Sequence, residues 1–301
     1  MTQNKIEFMR YRDFGQILNS TFEFIRQNFL PLLKSLIFIV GPFLLITGIL
    51  LGFYQKSVLT IFNITSFSQT GIIALLLIIL IFLVTQMMLT TVYSFILIYL
   101  SKTEFTPISI EEIWDSVKQN FYKVLGLNAV IFFLFLIYLT VFLLIIVAVS
   151  GGTSGSGLGI FLFFILFILL VFIMVKMCLA YMIMLYERIG IWASIQRSFY
   201  LTKNKWWFSF GLIFVLSLIQ SLMGFIFQIP QYIIMVTTMF NSLDGSGVSG
   251  VTEILIMLTS IIAAFQYLLF SLIIIALAFL YFSLVEQKEG KGLIERIESI
   301  Q

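Results

Sequence analysis

Five side chains set within otherwise apolar stretches could do chemistry: Lys176, Gln86, Gln220, Gln266 and Asn128. An ammonium at the centre of a bilayer costs roughly 2.5–3.5 kcal/mol on insertion scales. Lys176 therefore needs an anion, a lipid headgroup or a proton-linked site, or else it snorkels or hydrogen-bonds to a glutamine or carbonyl. The carboxamides are neutral and can hydrogen-bond between helices. Gln86, Lys176 and Gln266 are spaced 90 residues apart at each step, which suggests equivalent places, but their distances to the next polar end differ. No acidic residue lies clearly within a span to pair with Lys176, so a carboxylate proton relay lacks its parts. Histidine is absent and cysteine occurs once, as Cys178. That removes His-based acid–base chemistry, His/Cys metal cages and the usual triads, and no cofactor or metal is expected. Glu104, Glu111, Glu112, Asp115 and Glu187 form no recognised catalytic spacing and read as solvated charge.

These groups sit in a chain of 301 residues that is 61% hydrophobic and only 10% charged, with 34 phenylalanines. An ordinary soluble domain is roughly 25% charged. A soluble fold of this length has too little interior for so much apolar surface, so lipid must solvate most of it. Apolar runs cover Leu30–Tyr54, Gly71–Leu100, Val124–Val149, Leu158–Tyr186, Trp206–Gln228 and Ile254–Val285. Each exceeds the roughly 20 residues that cross the hydrocarbon as a helix. The expected fold is all-α, with six transmembrane helices arranged as three hairpins. The polar first 29 residues do not resemble a cleavable signal.

Charge selects the orientation. Lys5, Arg10, Arg12, Arg26 and Lys34 lie at the N-terminal side, Lys102, Lys118 and Lys123 in the first long connection, and Arg188, Arg197, Lys203 and Lys205 in the second. Lys288, Lys291 and Arg296 lie in the tail, 286–301. Of the 17 basic residues only Lys56 and Lys176 fall elsewhere. The positive-inside rule then predicts that both termini face the cytoplasm of a bacterial inner membrane. The outer loops, 55–70, 150–157 and 229–253, include two Gly/Ser-rich connectors, and Asn63-Ile64-Thr65 matches a glycosylation pattern by chance. Asp244 and Glu253 lack the oxygen spacing of a calcium loop.

A threefold repeat is expected over 13–100, 107–186 and 190–285, within one membrane domain covering 1–301. Its signature is a basic residue, an asparagine and an aromatic entering the membrane: Asn28 with Phe29, Asn120 with Phe121, and Asn204 with Trp206 and Trp207. Each signature ends an amphipathic stretch. The apolar stripes are Phe14, Ile17, Leu18, Thr21, Phe22, Ile25 and Phe29; Ile110, Ile113, Trp114, Val117 and Phe121; and Ile191, Trp192, Ile195 and Phe199. Ser109 with Glu112 has the capping-box pattern, and Asp13 with Gln16 a looser one. Each hairpin is thus preceded by a cytoplasmic interfacial helix, read as a collar rather than a lipid sensor because its charges are mixed. The second span of each hairpin is the longer one. Pro42 and Pro230 kink or end helices. Gly48 and Gly52 form a GxxxG suited to an intrachain helix contact.

Two segments carry a family resemblance. They are Glu187-Arg-Ile-Gly190 with Ser198-Phe-Tyr-Leu-Thr-Lys203-Asn204-Lys205-Trp206-Trp207, and Tyr281-Phe-Ser-Leu-Val-Glu286-Gln-Lys-Glu-Gly290-Lys-Gly-Leu-Ile-Glu295. The chain resembles a family of six-helix bacterial membrane proteins, related to the membrane domain attached to some glycerophosphodiester phosphodiesterases. In those two-part enzymes catalysis resides in a separate soluble barrel with histidine and carboxylate ligands. A chain without histidine does not carry that activity. The leading expectation is a non-enzymatic scaffold or accessory subunit whose partners are the bilayer and other membrane proteins, not nucleic acid. The alternative is a lipid or small-molecule transporter or lipid-handling protein with a polar site around Lys176.

Overall fold

In hydrocarbon no water is present to bond exposed backbone groups, so long apolar runs close their hydrogen bonds internally as helices. The computed structural model describes residues 5–59, 66–102, 108–150, 156–243 and 250–290. Eleven α-helices follow in order: α1 (Phe14–Gln27), α2 (Phe29–Ile39), α3 (Gly41–Leu59), α4 (Ser66–Ser101), α5 (Ile110–Ser150), α6 (Ser156–Met177), α7 (Ala180–Tyr186), α8 (Ile191–Thr202), α9 (Trp206–Leu243), α10 (Gly250–Phe265) and α11 (Phe270–Glu289). A 3₁₀ turn, Gln266–Leu269, joins the last two. No strand occurs among the described residues. Among the described residues five helical segments are long and apolar enough to cross a membrane, or six where the bent pair α2–α3 counts as one span. The protein is an all-α polytopic membrane protein.

Several boundaries differ from those of the apolar runs. The first span bends by 58° between α2 and α3, where Pro42, with no N–H to donate, cannot continue the ladder to Phe38. Pro230, in contrast, lies inside the unbroken 38-residue α9. The helices α3 and α9 both extend past the points where the runs become polar, so the outer connections are shorter than hydropathy suggests. Polar residues did not stop α9. Thr237 and Thr238 return their hydroxyls to the Ile234 carbonyl at 2.9 and 2.7 Å. The Asn63–Thr65 pattern, Glu104, Asp244 and most of the tail lie outside the described residues.

The interfacial segments also diverge. α1 and α8 are separate helices, but the middle one is simply the start of α5. Asn28 has φ −110° at the start of α2, and Asn204 takes the left-handed region at φ 65°. Asn120 lies inside α5, with no proline or glycine beside it to break the helix. This extension reverses the expected length order in the middle hairpin, where the described span Ile110–Leu144 has 35 residues against 26 for Phe161–Tyr186, whereas in the third the second span stays longer, with 40 residues in Gly250–Glu289 against 33 in Trp206–Thr238. Both sequence-read caps form. Glu112 N donates to Ser109 Oγ at 3.2 Å and Ser109 N to Glu112 Oε2 at 3.4 Å. Gln16 N donates to Asp13 Oδ1 at 2.8 Å and Asp13 N to Gln16 Oε1 at 3.1 Å.

The chain divides into two units. Unit one takes residues 1–20, 119–213 and 276–301; unit two takes 21–118 and 214–275. In unit one the stretch Ala276–Val285 of α11 is buried almost all round, as a central helix must be. An N-terminal strap is fixed to it. Phe8 stacks on Phe279 with centroids 4.3 Å apart, and Arg12 N donates to Ser283 Oγ at 3.0 Å. In unit two, α3 packs on α10 through Gly48 and Gly52. A Cβ on Gly48 would stand 2.6 Å from Ile261 Cα, and one on Gly52 3.1 Å from Met257 Cα. The GxxxG is therefore an intrachain contact. In α1 the buried residues of unit two are Thr21 and Phe24, followed by Asn28 at the junction with α2, and Phe24 lies edge-on to Tyr99 at 5.0 Å. Phe22 and Phe29, assigned to the apolar stripe, are exposed. The stripe has two apolar flanks, and Thr21 and Phe24 lie on the flank that is covered.

Candidate functional site

Gly48, Gly52 and Gln55 follow one another at i, i+4 and i+7 on one face of α3. The close α3–α10 approach brings Gln55 Oε1 to 3.3 Å from the Ser260 hydroxyl. α10 then tightens into the 3₁₀ turn that opens with Gln266. Mid-helix 3₁₀ turns often mark functional places. Across from it, Gly224, Gln228, Gln231 and Tyr232 lie within one stripe of α9. Gly224 leaves room for Gln266: an added Cβ would lie 3.3 Å from Gln266 Oε1. Gln228 Nε2 donates to Gln266 Oε1 at 2.7 Å, and Tyr232 Oη donates to Gln228 Oε1 at 2.8 Å. Gln55, Gln228, Gln231, Tyr232 and Gln266 line a cavity of about 210 Å³, and Thr47 joins its wall.

Every residue lining this chamber belongs to a membrane-spanning segment, and no Lys, Arg, Asp or Glu is among them. Each carboxamide carries two N–H donors and one acceptor oxygen. The bonds within the chamber occupy the oxygens of Gln228 and Gln266, but among the four glutamines they use a single N–H, from Gln228. The chamber is thus neutral and donor-rich. Its polarity is costly in hydrocarbon unless water or a ligand takes up those donors. A second cavity of similar volume, about 210 Å³, adjoins it and shares Gln55, Gln231 and Met235.

Of the five sequence candidates only Gln266 enters the chamber. Gln220 lines a separate apolar cavity of about 200 Å³ together with Phe29. Gln86 is fully buried in α4. Asn128 accepts a hydrogen bond from Tyr181 Oη. Lys176 lies in the last turn of α6, where a cation suits the helix dipole. Its ammonium stands over the rings of Phe172 at 4.9 Å and Phe199 at 5.4 Å. The helix breaks just beyond it, and the Lys176 carbonyl accepts the Ser198 hydroxyl of α8 at 2.6 Å. Among the repeat-motif residues, Asn28 Nδ2 back-bonds to the Phe24 carbonyl at 3.0 Å. Phe121 packs edge-on to Tyr122. Trp206 Nε1 donates to the Phe172 carbonyl at 3.2 Å, and Trp207 is exposed. Gln55, Gln228, Gln231 and Tyr232 went unnoticed because they stand at or beyond the ends of apolar runs. Their shared face with Gly52 or Gly224 was the available signal.

Unit one holds the other polar cluster. Arg197 Nε donates to Glu187 Oε1 at 2.6 Å and Nη2 to Glu289 Oε2 at 3.0 Å, while Tyr281 Oη donates to Glu187 Oε1 at 2.8 Å. Burial works against the Arg197 charge. Hydrogen bonds to Glu289 and Glu187 outweigh it and hold the guanidinium above its usual range. Segments 187–207 and 281–295 thus meet through Glu187 and Tyr281. Arg12 is similarly enclosed: Nε donates to Ser20 Oγ at 3.0 Å, Nη1 to the Phe8 carbonyl at 2.9 Å, and Nη2 to the Glu7 carbonyl. Among the described residues no group of three or more Cys, Asp or Glu could hold a metal ion.

Fold and site together define a polytopic helical membrane protein with an uncharged, donor-rich chamber between spans. No known protein family matches the chain, and neither a curated protein nor a solved structure is detectably similar to it.

Proposed function

We propose that this chain is a non-enzymatic bacterial inner-membrane protein, with cytoplasmic termini, that holds a small polar-ended molecule in the glutamine chamber. The observation that carries the reading is the convergence of Gln55, Gln228, Gln231 and Gln266 on one intramembrane cavity, with most of their N–H donors uncommitted among the described residues. Structural glutamine pairs need one bond each way, and four converging carboxamides exceed that need. This moves weight from the scaffold reading to the lipid- or solute-handling one, and moves its site from Lys176 to Gln266. The test is native mass spectrometry of protein released from nanodiscs. Wild type retains a discrete small molecule, and the Gln228→Leu/Gln266→Leu pair loses it at unchanged thermal stability. Wild type released empty, or equal retention in the pair, overturns the reading.

The accessory-subunit reading keeps one specific support. The most apolar stretch of α5 is only 6% buried, against 78% for the span Gly250–Glu289, and Phe133 and Phe164 on α5 and α6 are exposed. Photo-crosslinkers placed at these two positions in native membranes test it. A discrete protein adduct supports a partner, and lipid adducts alone remove this support.

A further inference from the structure

We infer that the occupant is an uncharged amphiphile, with an ester- or hydroxyl-bearing end in the glutamine chamber and one hydrocarbon chain in the adjoining cavity. This rests on the chamber being a ligand site and names the class of ligand. Three observations carry it. First, the chamber offers more uncommitted N–H donors than acceptor lone pairs, since the oxygens of Gln55, Gln228 and Gln266 each already accept one bond, and this excess suits carbonyl, ether and hydroxyl oxygens. Second, no charged side chain lines either cavity. The neighbouring charges Lys56 and Glu253 are paired with each other at 2.8 Å. A phosphate or carboxylate would enter without a countercharge, which the low dielectric makes costly. Third, the adjoining cavity has apolar walls, including Val58, Ile234, Met235 and Ile256. It shares Gln55, Gln231 and Met235 with the chamber, so the polar and apolar compartments lie side by side against the same three side chains. One compartment for oxygens and one for methylenes is the complement of a single-chain neutral lipid.

The probe is a monoacylglycerol carrying a diazirine on its chain, incorporated into phosphatidylcholine nanodiscs with the full-length protein. Fatty acid and lysophosphatidic acid bearing the same diazirine chain serve as anionic comparators. We expect saturable crosslinks from monoacylglycerol to peptides containing Gln231–Met235 and Ile256–Thr259. Labelling by the two anions should be roughly tenfold weaker. Gln231→Leu, which removes a carboxamide outside the Gln228–Gln266 bond, should cut monoacylglycerol labelling by about two- to tenfold. Equal or stronger labelling of these peptides by the anions overturns the uncharged head while leaving the chamber a ligand site. Labelling no stronger than at lipid-facing Phe133, unsaturable and unchanged in Gln231→Leu, overturns the amphiphile and the ligand-site reading together.

Discussion

Gly48→Ala tests the helix contact on which the chamber depends. The new Cβ would stand 2.6 Å from Ile261 Cα, whereas ordinary contact begins at 3.4 Å. The helices must therefore separate by about 0.8 Å, because the obstacle is backbone and cannot rotate away. Overpacking of this kind typically costs about 1–3 kcal/mol, and the better helix propensity of alanine returns at most about 1 kcal/mol. A net loss of about 1–2 kcal/mol is expected. The same 0.8 Å would stretch the 3.3 Å approach of Ser260 to Gln55 beyond hydrogen-bond range. Amide hydrogen exchange over residues 41–59 and 250–265 follows the opening of this helix pair as the purified protein is warmed in detergent. Gly71→Ala is the control, since nothing lies within 4 Å of its added Cβ. It should be neutral or slightly stabilising. If Gly48→Ala melts with Gly71→Ala, the close approach of α3 to α10 is wrong, and the derivation of the Gln55 position goes with it.

Gly52→Ala, with 3.1 Å to Met257 Cα, should fall between those two variants in the same assay. Arg197→Met removes the guanidinium that bonds both Glu187 and Glu289, and should lower stability by about 1–3 kcal/mol; Arg197→Lys should recover only part, because an ammonium lacks the rigid planar fork of donors that a guanidinium presents to two carboxylates. Limited proteolysis checks the strap: Arg12→Ala removes the donors that hold the Phe8 and Glu7 carbonyls, so cleavage within residues 5–12 should speed up. Unchanged cleavage would show that Phe8 stacking and the Arg12 backbone bonds with Ser283 hold the strap without the guanidinium. Glu112→Ala breaks one arm of the α5 capping box and its 2.8 Å ion pair with Lys102, with an expected loss of up to about 1 kcal/mol seen as faster amide exchange over residues 109–113.

Most of the architecture was legible because hydropathy and capping act locally. The six apolar runs became spans, Ser109 with Glu112 and Asp13 with Gln16 formed caps, and Gly48 with Gly52 met a helix of the same chain. The site was not legible, for two physical reasons. An apolar run ends where the side chains turn polar, but a helix ends where its backbone loses partners. Gln55 and Gln231 fall between those two limits. The depth of Lys176 was counted along an uninterrupted helix, yet α6 ends one residue after it, and α8 packs against that break through Ser198. No count along the chain contains the contact. Asn120 illustrates the reverse: the motif of Asn28 and Asn204 is present, but without a local breaker the helix continues through it.

Polar groups that serve only the fold should be closed, with each donor matched nearby, because an unmet donor in a low dielectric costs more than a met one returns. Arg12 and Arg197 satisfy that rule with carbonyls, Ser20, Glu187 and Glu289. Asn128 also has its partner in Tyr181. The glutamine chamber does not follow the rule. Gly224 carries no side chain where any would crowd Gln266, and the resulting space borders amides rather than being filled by a leucine. An apolar replacement of Gln231 should therefore stabilise the empty protein or leave it unchanged, while lowering ligand retention. Opposite signs in those two measurements would separate a binding site from a structural knot. A parallel loss in both would make the chamber part of the fold alone.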